Sequence, residues 1–173
     1  PEADGILFQV EVTPERRTYT NTEWGKVSLM NCGRYPAYSM AFRTEKLHKT
    51  GVKFSLLFGG GAKYSNGEDS LFLKSCFDHG LRVYAHPYVL GRCCKDVSSW
   101  FVGYNEKYFY DKGVLVRTLF PRLYGVMGLY FAVRFKRKTQ IGVFARLRLV
   151  YAGIRGGKTM QTYERYHEKT ADR

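Results

Sequence analysis

The sequence has little of what several classes of protein depend on. It contains only four cysteines in 173 residues, Cys32, Cys76, Cys93 and Cys94, with no Cys-x-x-Cys pair and no His/Cys spacing typical of a zinc site. We therefore predict free thiols in a reducing compartment. The longest uncharged run in its most hydrophobic stretch, residues 123–133, has eleven residues. A membrane-spanning helix needs roughly 20, so this pattern does not indicate one.

Acidic residues are missing from most of the C-terminal third. Residues 112–163 include eleven Lys or Arg and no Asp or Glu, so this window supplies nearly all of the net charge of +13. The rest of the chain, with 17 basic and 15 acidic residues, is almost neutral. A basic window of this size predicts an anionic partner, and membrane lipid, nucleic acid and a phosphorylated substrate are the classes that suit it.

Apolar residues make up 45% of the chain, which is enough for a core, and their spacing predicts secondary structure. Three stretches are predicted as strands, namely residues 4–12, 37–42 and 81–88. A short helix is predicted over residues 44–50, with Thr44 as N-cap and Gly51 as C-cap. A second helix is predicted over residues 68–79, and most of the chain from Trp100 onward is predicted to be helical.

The most hydrophobic stretch, residues 114–135, has two interpretations. Its aromatic residues and basic flanks fit a helix that lies in the membrane interface. They fit equally well a helix packed on the core with Arg and Lys on its wet face.

The strongest local pattern is a glycine-rich loop over residues 58–67 that leads into Glu68 and Asp69 at a predicted helix start. A carboxylate there can act as a general base toward a hydroxyl group, and glycines let the backbone approach a ligand closely. The alternative is structural. Ser65-x-x-Glu68 matches a capping box, and acids in a first helical turn complement the helix dipole.

Four blocks follow one another between residues 37 and 113: AYSMAFRTEKLHKTGVKFS, FGGGAKYSNGEDSLFLKSC, GLRVYAHP and SSWFVGYNEKYFYDKG. In this order they resemble family 2 glycosyltransferases, bacterial enzymes that assemble capsules and exopolysaccharides. The resemblance implies an α/β fold of the GT-A type that binds a nucleotide-sugar. It continues more weakly into the basic tail.

The resemblance also implies roles for particular residues. Asp69 matches the family's catalytic base, which takes the proton of the acceptor hydroxyl while that oxygen attacks the donor's anomeric carbon and inverts it. Glu68 would orient the acceptor or cap the helix. Gly60 and Gly61 in the loop are expected on the acceptor-binding side.

Three further residues carry two interpretations each. Ser99 and Trp100 match a block that closes the acceptor side in the family, where an indole stacks on a sugar ring; alternatively, Trp100 anchors the core at the start of a helix. His86 matches a late histidine that some GT-A enzymes place near the metal, although a histidine at a strand end is more often structural or exposed.

One departure from the family outweighs these matches. The family holds a divalent metal (Mg or Mn) with an Asp-x-Asp motif, and the chain has no such motif. We therefore expect the chain to be α/β, or α+β as a fragment, with an incomplete GT-A-like sheet, flanking helices and a basic helical tail. Residues 1–112 would form the acceptor-side portion and residues 113–173 the extension.

The implied enzyme would transfer a sugar to a glycan or lipid-linked acceptor in the cytoplasm, with the tail on the inner face of the plasma membrane. Without the nucleotide-binding half we expect the isolated chain to be inactive. A half domain exposes a sheet edge, so we expect it to dimerise or to re-pair its strands.

Two other classes stay in consideration. One is a non-catalytic module, derived from such an enzyme, that docks on a membrane or a partner. The other is a basic nucleic-acid-binding domain, although no RNA-binding signature is present. A phosphate-binding loop at residues 153–159 is rejected, because the pattern needs glycine at position 152, which is Ala152.

Overall fold

A computed structural model describes residues 2–13, 19–93 and 101–171, the last of these from residue 158 onward for the backbone alone. Four strands and five α-helices form within these ranges, in the order β1 (Gly5–Glu11), β2 (Gly25–Lys26), β3 (Met40–Phe42), α1 (Thr44–Thr50), α2 (Glu68–Asp78), β4 (Val83–Arg92), α3 (Glu106–Leu119), α4 (Tyr124–Arg134) and α5 (Val143–Ala171). The predicted mixed α/β class is confirmed.

The described residues divide into two compact units. The first contains residues 2–13, 19–59 and 67–93, and the second contains residues 60–66 and 101–171. The boundary predicted between residues 112 and 113 falls inside α3. Residues 60–66 and the start of α3 pack with the C-terminal helices instead.

The first unit is built on a sheet with strand order β2-β4-β1-β3. β1 and β4 are parallel, with Leu7 opposite Ala85, and the two edge strands pair antiparallel to them. α2 covers one face of the sheet. Its buried residues share one core with the strands, which includes Leu7, Val83, Ala85, Phe72, Leu73 and Cys76. The apolar spacing that predicted α2 therefore marks the face that it buries.

Most predicted elements of the first unit are confirmed, with two local differences. Residues 37–42 are not one strand, because Ala37–Ser39 forms a 3-10 turn after Pro36 and only β3 is extended. The Ser39 hydroxyl donates to the Pro36 carbonyl at 2.7 Å and stabilises that turn. The predicted N-cap of α1 is also wrong. Arg43 occupies that position, whereas Gly51 ends the helix in the left-handed conformation, as predicted.

The second unit is a cluster of three helices, which confirms the prediction of a mainly helical C-terminal region. α3 and α5 approach closely at Gly113 and Gly153, where a side-chain carbon would collide with the backbone of the other helix. Phe109, Val116 and Val150 are fully buried around this crossing. The hydrophobic stretch 114–135 is thus divided between α3 and α4, with Pro121 between them. None of the helices in the described residues is long and apolar enough to cross a membrane.

A buried polar network fixes α3 within the second unit. Asp111, only 2% exposed, accepts hydrogen bonds from the Ser65 N–H at 2.9 Å, from the Ser65 hydroxyl and from Lys107 Nζ at 2.5 Å. Lys112 Nζ donates to Asn66 Oδ1 at 3.0 Å. Burial lowers the pKa of Lys112 to about 8. These bonds tie residues 65 and 66 to the helix.

Candidate functional site

Glu68 and Asp69 form the first turn of α2, behind a glycine-rich approach. Gly67 occupies the N-cap position with φ of 114° and offers no side chain to cap the helix. Both acids are half-buried. The Ala37 backbone N–H donates a hydrogen bond to the Asp69 carboxylate. The pair therefore sits where a helix begins, with one carboxylate held against the 36–39 turn.

The Asp69 carboxyl is poised to titrate near neutrality. Burial first and the neighbouring Glu68 charge second raise its pKa to about 7, against the Ala37 hydrogen bond, which lowers it. The helix dipole also favours the ionised form, but it is worth up to about 2 kcal/mol at a partly buried site, or about one and a half pKa units. Burial and the adjacent charge outweigh it. A carboxylate with this pKa is matched to proton abstraction at physiological pH.

Glu68 determines which residue can stand at position 59. Gly59 has φ of 115°, and a side-chain carbon there would lie 3.0 Å from the Glu68 carboxyl carbon. Only glycine combines this backbone conformation with that space. The Glu68 side chain therefore lies over the backbone at the start of the glycine-rich loop.

The predicted capping box is wrong. Ser65 makes no bond to the α2 backbone, because its N–H and hydroxyl both donate to Asp111 within the second unit. The N-terminus of α2 has no side-chain cap. A capping box with Ser65 therefore does not explain why Glu68 and Asp69 stand at this position, although acids in the first turn still complement the helix dipole.

The other predicted acceptor-side residues belong to the second unit or lie outside the described residues. Gly60 and Gly61 are exposed and belong to the second unit, whereas Asp69 and Glu68 belong to the first. Gly61 has φ of 80°, and a side chain there would meet open space. Ser99 and Trp100 lie outside the described residues.

His86 lies within an aromatic cluster on the face of the sheet opposite α2. Its Nδ1 accepts the Tyr88 N–H at 3.0 Å, and its ring stands edge-on to Trp24 with centroids 5.4 Å apart. Trp24 in turn stacks on Tyr84 at 5.1 Å. One ring nitrogen is thus already used.

The residues present do not fit a divalent metal. In the part of the chain that the structure describes, no three His, Cys, Asp or Glu side chains are grouped so that they could hold a metal ion. His86, surrounded by aromatic rings, cannot hold Mg²⁺ or Mn²⁺ alone, since these ions prefer several oxygen ligands.

A tyrosine-rich cleft in the first unit was not predicted from the sequence. The 36–39 turn that contacts Asp69 also lines this cleft, together with Tyr19, Tyr38 and Arg34. The Arg34 guanidinium lies 4.6 Å from the centre of the Tyr19 ring. Asn21, 7% exposed, also lines the cleft, and its side-chain N–H₂ has no hydrogen-bond partner among the described residues. The high tyrosine content was the only signal of this feature in the sequence.

Comparison with known proteins identifies no relative: no family model, no curated protein and no solved structure matches the chain.

Proposed function

We propose that the chain is the acceptor-side portion of an inverting glycosyltransferase, with Asp69 as the general base. The observation that supports this most is the Asp69 carboxyl itself. It lies at the start of α2 with its pKa raised to about 7 by burial and by Glu68. A structural acid in a first helical turn is stabilised in its ionised form and needs no such shift.

In the proposed reaction, Asp69 accepts the proton of the acceptor hydroxyl as that oxygen attacks the anomeric carbon of the donor sugar. The bond to the nucleoside diphosphate breaks as the new glycosidic bond forms, and the diphosphate leaves with the electron pair. One displacement inverts the anomeric configuration. Glu68 raises the basicity of Asp69 through its charge and orients the acceptor.

The cleft beside the 36–39 turn supports a sugar acceptor. Tyr19 and Tyr38 are exposed, and their rings offer flat apolar faces with polar edges, which suit a sugar ring. The unpartnered Asn21 N–H₂ supplies a donor for a ligand oxygen. Ala37 contacts Asp69 while its neighbours Pro36 and Tyr38 line the cleft, so one turn of the first unit connects the cleft with the base.

The donor nucleotide and its metal would be held outside the residues described. We therefore expect no turnover by this chain alone, and we propose a nucleotide-sugar donor with a glycan or lipid-linked acceptor. Transfer would take place in the cytoplasm, at the inner face of the plasma membrane.

The test is Asp69→Asn in the protein expressed from its complete reading frame, assayed with nucleotide-sugars and membrane-extracted acceptor. Loss of a general base should lower kcat by about 10²- to 10⁴-fold. Asp78→Asn is the matched control, since Asp78 ends the same helix and is exposed there. Equal activity of the Asp69→Asn variant and the wild type would contradict the proposal.

The second candidate is a non-catalytic module that docks on a membrane or a partner. The observation that favours it is the exposed apolar side of α4, which no catalytic role explains. Two results together would support this candidate. The wild type and the Asp69→Asn variant would bind the partner equally well, and the protein expressed from its complete reading frame would show no sugar transfer.

A further inference from the structure

α4 is covered on only one side within the second unit. Gly128 and Ala132 are its buried residues, and Gly128 lies against Ile154 of α5. On the other side, four large apolar residues remain open to solvent: Val126 is 69% exposed, Leu129 50%, Tyr130 44% and Val133 42%. The residues of α4 that are fully buried are small, with Met127 and Phe131 half-buried beside them, whereas the side facing water carries four exposed large residues.

The four exposed residues form one continuous stripe. They stand at positions i, i+3, i+4 and i+7, a spacing that places them on the same face of a helix over two turns. Such a spacing normally identifies the face that a helix buries. We call these four residues the α4 stripe. The stripe does not pack on the core of the unit.

Basic residues lie at both ends of the α4 stripe. Arg122 precedes the helix, Arg134 ends it, and three exposed residues follow: Lys136, Arg137 and Lys138. The Arg134 guanidinium lies 5.5 Å from the centre of the Tyr130 ring. No Asp or Glu occurs between residues 112 and 163 to balance these charges. The stripe is thus an apolar surface bounded by positive charge.

We propose that α4 docks on an anionic lipid surface, with the α4 stripe at the boundary between headgroups and acyl chains and the flanking Arg and Lys against the lipid phosphates. This is the geometry of an interfacial amphipathic helix. Tyr130 suits that depth because its ring is apolar and its hydroxyl polar. The inference deepens the proposed placement at a membrane but does not depend on the transfer reaction.

Two other occupants fit less well. Nucleic acid attracts the basic residues through its phosphates but gains little from exposed aliphatic side chains. A second copy of the chain, paired across the stripe, would bring one set of basic residues against another, because both ends of α4 are positive. An anionic bilayer satisfies the apolar and the charged residues together.

The test is cosedimentation of the full chain with phosphatidylcholine vesicles, with and without about a third of phosphatidylglycerol. Wild type should bind the anionic vesicles and not the neutral ones. Val126→Ser with Leu129→Ser should weaken binding about tenfold or more, because less apolar surface is buried. Neutralising Lys136, Arg137 and Lys138 to Gln should weaken it about a hundredfold, since each contributes about a fivefold factor near an anionic surface.

Matched controls lie in the first unit. Leu56→Ser removes an apolar side chain that is 93% exposed, and Lys26, Lys49 and Lys53 changed to Gln remove three exposed charges. Both should bind vesicles more nearly like wild type than the α4 variants do. Circular dichroism should show each variant folded, since all the changed residues are exposed.

Three results would overturn the inference. One is wild-type chain that stays in the supernatant with anionic vesicles. Another is vesicle binding that is lost when Lys136, Arg137 and Lys138 are changed to Gln but kept when Val126 and Leu129 are changed to Ser. That result would indicate a general anion-binding surface, such as one for nucleic acid. The third is a dimer in solution that the serine variant dissociates. Because no donor or acceptor is present, failure here leaves the test of Asp69 unaffected.

Discussion

Asp111 in the second unit is buried and Asp69 in the first unit is half-buried, and the surroundings of the two carboxylates differ. Asp111 in the second unit is met by the Ser65 N–H, the Ser65 hydroxyl and Lys107 Nζ at 2.5 Å. Asp69 in the first unit has one backbone N–H from Ala37 and a carboxylate, Glu68, as its neighbour in sequence. A carboxylate matched by a cation and several donors stabilises a fold. One that lacks them is costly when ionised and is available to take a proton.

The largest effect on stability is expected at Asp111. Asp111→Ala would leave the half-buried Ser65 N–H without its acceptor and remove the partner of Lys107. We expect a loss of about 3 kcal/mol in unfolding free energy, toward the low end for a broken buried pair because Lys107 is itself exposed. Urea unfolding followed by circular dichroism measures it. A loss below about 1 kcal/mol, as at an exposed site, would remove the distinction between the two aspartates.

A smaller loss is expected where Glu68 covers the loop backbone. Gly59→Ala should cost about 2 kcal/mol, because a side chain is strained at φ of 115° and would crowd the Glu68 carboxylate. Gly61→Ala is the control, with positive φ but open space around it, and should cost about 1 kcal/mol. If the two variants unfold at the same urea concentration, Glu68 does not lie over Gly59 as described.

Asp69→Asn should stabilise the fold, unlike the two changes above, and it should do so only at a pH above about 4. The folded-state pKa of Asp69, about 7, lies above its unfolded value of 3.8. Its contribution is therefore fully present below about pH 4 and is lost as the pH rises to about 7. Asn keeps that stability, so at about pH 8 the variant should be more stable than wild type by about 2 kcal/mol, discounted for partial exposure. Near pH 4 the variant and the wild type should have the same unfolding free energy. A variant less stable than wild type at about pH 8 would contradict the claim that burial destabilises the ionised Asp69.

The smallest expected effect is a change in the pKa of Asp69 when its neighbour Glu68 loses its charge. Glu68→Gln removes the second cause of the raised pKa, so the Asp69 pKa should fall, but not to its ordinary value, because burial is the larger cause. Carbon-13 NMR of the carboxyl groups measures this. Glu45→Gln, at an exposed position in α1, is the control and should leave Asp69 unchanged. An unchanged pKa in the Glu68→Gln variant would show that the two carboxylates do not interact.

Local pattern was sufficient to predict much of the fold. The apolar spacing of α2 and the glycine after α1 predicted those helices, because each signal acts within a few residues. Contacts distant in sequence could not be predicted. Ser65 has the spacing of a capping box, yet its hydroxyl donates a hydrogen bond to Asp111, 46 residues away. The 3-10 turn at residues 37–39 likewise depends on Pro36 and Ser39 rather than on strand propensity.

The sequence was sufficient to predict which residues form the candidate site, but not the environment in which they lie. The pair Glu68 and Asp69 was visible in the sequence, whereas the raised pKa of Asp69 depends on burial that only the packed unit provides. The cleft with Tyr19 and Tyr38 combines segments that no short pattern connects. The exposed stripe of α4 could not be predicted either, because amphipathic spacing is the same whether a helix buries its apolar face or presents it.

The most direct test of the account is a carbon-13 NMR titration of the Asp69 carboxyl in the intact chain, with Asp69→Asn to assign the signal. We predict a midpoint of about 7, because burial and the charge of Glu68 both hold the proton on. A base of that strength can serve at physiological pH. A midpoint near the ordinary value of 3.8 would show Asp69 to be a solvated acid in a first helical turn, and the proposed catalytic role would lose its main support.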